Sequence, residues 1–138
     1  MIWYIVADER NQHLHNQQTP VQTILLVEDD TTISELLVRL ITQETRYLIF
    51  TVPDGPQALN LVQKINPALF ILDYWLPTTH GIELYDQLHA SEGLEQVPAI
   101  MLSVNAPLHE MHVRHITFIR KPFDMYQLLG TIHNLLKE

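Results

Sequence analysis

Three carboxylates, a hydroxyl and an ammonium stand out by where they fall. Each comes at or just after the end of a short apolar run. Glu28 and Asp29 follow Ile24 to Val27, Asp73 follows Ala68 to Leu72, Ser103 follows Val97 to Leu102, and Lys121 follows Thr117 to Ile119. Carboxylates held close together repel and resist ionisation unless a cation sits among them. Their oxygens suit Mg²⁺, which keeps several waters and takes one or two protein carboxylates together with phosphate oxygens. A lysine opposite can bind a second phosphoryl oxygen, and the Ser103 hydroxyl a third. Such a set stabilises the spread negative charge of a phosphoryl group in transit by positioning and electrostatics. Asp73 is then the nucleophile, and an acyl phosphate the product.

The apolar runs have strand character. Ile24 to Val27, Tyr47 to Val52, Ala68 to Leu72, Val97 to Leu102 and Thr117 to Ile119 are short and continuous, as in strands buried on both faces. Helical spacing separates them. Ile33, Leu36, Leu37, Leu40 and Ile41 mark a first helix with Thr31 or Thr32 as N-cap. Ala58 to Ile65 mark a second, behind the turn Pro53-Asp54-Gly55-Pro56 and closed by Asn66-Pro67. Ile82 to Leu88 carry a third, and Phe123 to Leu136 a final amphipathic helix. Strands alternating with helices predict a parallel sheet covered on both faces. Ligands of such sheets sit beyond the carboxyl ends of the strands, where the five polar residues fall. Taken singly, each has a plainer reading: an acidic helix start for Glu28-Asp29-Asp30, a turn hydroxyl for Ser103, a solvated surface residue for Lys121. Their joint placement on neighbouring strand ends favours a site.

The bulk numbers bound the rest. The chain has 138 residues, 46% of them apolar, enough for a single domain with one real core. A net charge of −8 argues against direct binding of nucleic acid or anionic membrane. The absence of cysteine removes thiol chemistry and fits a cytoplasmic, reducing compartment. No apolar run is long enough to span a membrane. Residues 1–22 read as an N-terminal extension or linker, and 23–138 as the domain. Met1 to Ala7 is apolar but lacks a basic lead and stops at Asp8 and Glu9, a poor signal peptide. Whether Ile2 to Val6 forms an added strand, a docking peptide or a disordered start stays open.

From about Thr23 to its end the sequence resembles the receiver domain of bacterial two-component response regulators. The resemblance rests on Ile24 to Asp30 (ILLVEDD), Pro67 to Pro77 (PALFILDYWLP), Gly81, Pro98 to Ser103 (PAIMLS) and Arg120 to Phe123 (RKPF). It implies a flavodoxin-like, doubly wound sheet of five parallel strands in the order 2-1-3-4-5. It implies that Asp73 is the phospho-acceptor and that Asp29 binds Mg²⁺ directly, with Glu28 acting mainly through a metal-bound water. The main-chain carbonyl of Trp75 is a further implied ligand, and Ser103 and Lys121 are implied to engage the phosphoryl group. The implied donor is a phosphohistidine on a sensor histidine kinase or phosphotransfer protein. Ser103 and Phe118 match the two residues that move when such a domain switches; plain core packing is the competing reading of Phe118. Such a domain is a signalling protein that catalyses only its own phosphorylation and dephosphorylation.

Several positions depart from the family pattern. His80 stands where an acid usually precedes the glycine. Val104 replaces a small residue and is expected to crowd the approach to Asp73. Trp75 is large enough to shield an acyl phosphate from water, which predicts slow self-dephosphorylation. Ser103 and Lys121 are 18 positions apart, roughly one helical turn of about 3.6 residues less than usual. Pro107 to His115 must therefore hold a shortened fourth helix. His109, His112 and His115 have zinc-like spacing, but exposed positions on a short helix are the stronger reading.

The leading expectation is a stand-alone phospho-receiver with an unnamed downstream partner; homodimerisation stays open. The alternative is a phosphorylation-independent pseudo-receiver acting as a protein-interaction module. A dehalogenase-type phosphatase would want an acid at position 75, which is Trp. A flavin carrier would want a hydroxyl-rich phosphate loop after the first strand, where Glu-Asp-Asp stands.

Overall fold

The computed structural model describes residues 20–137. The greater part of the expected N-terminal extension, residues 1–19, lies outside them. Five strands alternate with five helices: β1 (Thr23–Val27), α1 (Thr31–Glu44), β2 (Leu48–Val52), α2 (Gly55–Leu61), β3 (Leu69–Asp73), α3 (Gly81–His89), β4 (Ala99–Ser103), α4 (Leu108–Val113), β5 (Thr117–Arg120) and α5 (Met125–Leu136). All strand pairs are parallel, in the order β2-β1-β3-β4-β5. The flavodoxin-like sheet expected from the resemblance is therefore present.

The continuous apolar runs are explained by two cores, one on each face. Alternation along β1 sends Ile24 and Leu26 to one face and Leu25 and Val27 to the other. Ile24 and Leu26 pack with Leu37 and Ile41 of α1 and with Leu128 and Ile132 of α5. Leu25 and Val27 pack with Ala58 of α2, Leu84 and Leu88 of α3 and Met111 of α4. Each fully buried Leu or Ile of this kind contributes roughly 1.5–3 kcal/mol relative to exposure.

Element boundaries shift where a cap outcompeted the expected one. Asp30, not Thr31 or Thr32, is the N-cap of α1, and its carboxylate accepts from the backbone N–H groups of Thr32 and Ile33. Aspartate accepts there as well as a hydroxyl and also suits the positive end of the helix dipole. Helix α2 ends at Leu61, short of Ile65, because Gln63 and Lys64 donate to carbonyls only three residues back and tighten the turn. Helix α5 begins at Met125, after an Asp124 cap, rather than at Phe123.

The fourth helix is six residues long, as short as its length of chain predicts. It has no side-chain N-cap bond. Two contacts with α3 hold it instead. Arg114 makes a two-pronged pair with Asp86 at 2.8 and 2.9 Å, and the Tyr85 hydroxyl donates to the Arg114 carbonyl at 3.1 Å. His109, His112 and His115 are exposed, and they are not part of the three-residue ligand cluster found among the described residues.

Gly81 opens α3 where the chain folds back on β3. Its N–H donates to the Tyr74 carbonyl at 2.7 Å. A Cβ there would lie 2.4 Å from Met101 Sδ and 2.8 Å from the Asp73 carbonyl oxygen. The sulfur can move, but the strand backbone cannot. Gly81→Ala is expected to cost about 1–3 kcal/mol by overpacking. A thermal midpoint equal to the native one would refute that account.

Candidate functional site

The strand order reverses between β1 and β3, since β1 pairs with β2 on one side and β3 on the other. That reversal is the topological switch point of a doubly wound sheet. Glu28 and Asp29 leave β1 there, and Asp73 ends β3 beside them. Backbone bonds carry the ladder one step past the strands. Glu28 N–H donates to the Val52 carbonyl at 3.1 Å, Tyr74 N–H to the Leu102 carbonyl at 3.0 Å, and Lys121 N–H to the Ser103 carbonyl at 2.8 Å. The functional side chains thus spring from backbone that is still held by the sheet.

The sequence-predicted residues converge. One ligand oxygen from each of Glu28, Asp29 and Asp73 lies within 4.8 Å of the others. Glu28 and Asp73 are buried, at 3% and 5% exposure, whereas Asp29 is exposed. Lys121 Nζ reaches Glu28 Oε1 at 3.0 Å and Asp73 Oδ2 at 3.5 Å. The other Asp73 oxygen, Oδ1, accepts from the Trp75 N–H at 3.2 Å. Glu28 Oε2 accepts from the Asp30 N–H at 3.2 Å.

The charges do not balance within this group. Burial disfavours the Glu28 carboxylate, and Asp73 beside it adds to the penalty. Lys121 and the Asp30 amide only partly offset this, and the Glu28 carboxyl is pushed up to about 7. For Lys121, burial opposes the charge, but Glu28 and Asp73 together outweigh it and raise the ammonium's pKa. Three clustered carboxylate oxygens with one flanking ammonium form a donor set that fits a hard divalent cation such as Mg²⁺.

Ser103 is 1% exposed at the end of β4, and its hydroxyl donates to the Asn105 carbonyl. Phe118 is half-buried against the core and paired with Met101 in the β4–β5 ladder. Trp75 is 62% exposed, its ring edge-on to Tyr74. His80 serves as the N-cap of α3, where Nδ1 accepts from the Glu83 N–H at 3.4 Å, and its ring stacks on Tyr74. Val104 is 60% exposed and lines an apolar groove with Ile33, Leu36, Phe123 and Met125 beside Lys121. The side-chain bond of Arg120 to the Val104 carbonyl, in the connection after β4, was not legible in the sequence, since the RKPF motif gives no local signal for it.

Fold and site together define a doubly wound α/β domain with a cation-ready acidic pocket at its strand ends. The family model described as "response regulator receiver domain" matches residues 24–133, and the chain belongs to that family. Protein Rrf1 of Nitratidesulfovibrio vulgaris is 31% identical over 113 residues, covering 82% of this chain and 81% of that protein. The DNA-binding response regulator MtrA of Mycobacterium tuberculosis is 30% identical over 120 residues. The match covers 84% of this chain but only 51% of MtrA, and only 8% of hybrid signal transduction histidine kinase D of Dictyostelium discoideum. Among solved structures, chemotaxis protein CheY4 of Vibrio cholerae superposes with a TM-score of 0.78 at 25% identity, covering 85% of this chain and all of that one. The receiver domain of a Pseudomonas aeruginosa sensor histidine kinase, solved with a magnesium ion in its active site cleft, gives 0.74 at 24% identity over 86% of this chain and all of its own.

The raised Glu28 pKa has a definite sign. Without metal, the unfolded chain loses this proton near 4.5 and the folded one near 7. The group's contribution to stability is therefore full below pH 4.5 and lost as pH rises to about 7. In chelator at pH 8, Glu28→Gln is expected to melt several degrees above the native protein, and at pH 5 close to it. Equal midpoints at pH 8 would contradict the burial argument.

Proposed function

We propose that this chain is a phospho-accepting switch of a two-component phosphorelay. Asp73 receives a phosphoryl group from a phosphohistidine on a sensor histidine kinase or phosphotransfer protein. The observation that carries this reading is the convergence of Glu28, Asp29 and Asp73 within 4.8 Å with Lys121 reaching across to two of them. Glu28, Asp29, Asp73 and the main-chain carbonyl of Trp75 are assigned to hold Mg²⁺, with Glu28 acting mainly through a water. When bound, that ion neutralises carboxylate and phosphoryl charge.

The chain's own groups do the rest. An Asp73 carboxylate oxygen attacks phosphorus. The new O–P bond forms as the P–N bond to the donor imidazole breaks, and the imidazole leaves and takes a proton from solvent. Lys121 exchanges a carboxylate contact for a phosphoryl oxygen. Ser103 leaves the Asn105 carbonyl and donates to another. New charge on Asp73 then biases the connection after β4 and the packing of Phe118, which a downstream protein reads. The reading describes a cytoplasmic signalling protein that acts only on its own acyl phosphate. Among the described residues no helix is long and apolar enough to cross a membrane.

Incubation with Mg²⁺ and a small phosphodonor should add one phosphoryl group to the intact mass, and Asp73→Asn should abolish it. No adduct at any donor concentration would leave the phosphorylation-independent interaction module. Once phosphorylated, Trp75→Ala should lose its phosphoryl group faster than the native chain, because the indole limits water at the neighbouring carboxylate. A native phospho-form that decays as fast as the variant, or faster, would remove that role.

A further inference from the structure

The connection after β4 is held at two successive carbonyls. Ser103 Oγ donates to Asn105 O. Arg120 Nη1 donates to Val104 O at 3.1 Å. The same guanidinium lies over the Phe118 ring, with Cζ 6.0 Å from its centroid. Arg120 can do both because it stands opposite Ser103 in the β4–β5 ladder, two residues after Phe118.

We propose that Arg120 is a positioning residue that latches this connection in its resting place by tying the Val104 carbonyl to Phe118. The proposal rests on the phospho-acceptor reading above and adds to it a role for Arg120. A serine hydroxyl has one proton to donate. While that proton serves Asn105, it cannot serve a phosphoryl oxygen on Asp73. Turning it inward frees the Asn105 carbonyl, and the neighbouring Val104 carbonyl is still held by Arg120. The latch therefore opposes the movement that Ser103 must make, and it links that movement to the aromatic ring.

The contact is solvent-exposed, so its effect is modest. A single exposed bond of this kind changes an equilibrium by roughly 3- to 10-fold, within the ordinary range for a protein hydrogen bond. The cation–π contact is at the outer limit of its range and adds little. Arg120 has a second, opposing influence: its charge attracts anions to the pocket. Removing the side chain loosens the latch, which favours phosphoryl-like ligands, but also removes the attraction, which disfavours them. Salt screens the second effect more than the first, so the two separate at high ionic strength.

The test uses the full chain with Arg120→Met, which keeps the stem but loses donor and charge, and Arg120→Lys, which keeps both. In the free protein, amide NMR signals of Val104, Asn105 and Ala106 should shift and broaden in Arg120→Met and stay near native in Arg120→Lys, with melting temperatures alike. Beryllofluoride with Mg²⁺, a mimic of a phosphorylated carboxylate, should bind Arg120→Met roughly 3- to 10-fold more tightly at high salt. Unchanged amide signals would overturn the latch. Weaker beryllofluoride binding by Arg120→Met would also overturn it and leave Arg120 as an attracting charge. If the native chain fails to bind beryllofluoride at all, the phospho-acceptor reading falls, while the latch still stands or falls by the amide signals.

Discussion

The site depends on two carboxylates, Glu28 and Asp73, buried within reach of one ammonium. Removing charged groups from water costs several kcal/mol apiece unless partners compensate. Lys121 compensates from 93 residues away along the chain. It lies beyond β5, so its stem must pass over the end of β4 to reach β3 and β1. Backbone amides of Asp30 and Trp75 supply further bonds to the two carboxylates. The compensation is incomplete, as the raised Glu28 pKa records. A pocket left short of positive charge, with exposed Asp29 at its mouth, favours a divalent cation and then the anionic oxygens that such a cation can share.

That arrangement is affordable because the sheet beneath it is rigid. Strands β1 to β4 are buried on both faces and send alternate side chains into two separate cores, while β5 at the edge buries Ile119. The strand ends are thus fixed by packing on either side, and ladder bonds continue one residue beyond them. Gly81 lets α3 begin against the Asp73 backbone, where any side chain would meet the strand. The loop between them brings Tyr74, Trp75 and His80 into ring contact beside the pocket.

The connection after β4 is held by side chains rather than by the sheet. Ser103 is buried and committed to Asn105, while Val104 next to it is largely exposed. The short α4 is tied to α3 rather than left to its own weak N-terminus. Arg114 holds the Asp86 carboxyl below the usual carboxylate range through a two-pronged pair. A six-residue helix is too short to be stable alone, so this tie and the burial of Met111 fix its place. The connection that follows Ser103 therefore leads into a helix anchored at its far end and is held by the Arg120 bond to the Val104 carbonyl.

The sequence by itself determined the alternation of strands and helices, the covered parallel sheet and the residues at the strand ends. Continuous apolar runs cannot be half-exposed strands, and polar residues that end such runs must emerge at one edge. The shortened fourth helix also followed from the 18 positions between Ser103 and Lys121, set against the family pattern. Other features needed the tertiary structure. Asp30 displaced Thr31 and Thr32 as cap because cap choice turns on local backbone geometry. The pairing of Lys121 with Glu28 as well as Asp73, the Asp86–Arg114 tie and the bond from Arg120 to the Val104 carbonyl join residues from 16 to 93 positions apart. Periodicity carries no information about such pairs, since they are set by strand order and by the direction in which each side chain leaves its strand. The same holds for the charge state of Glu28, which depends on burial that only the closed fold provides.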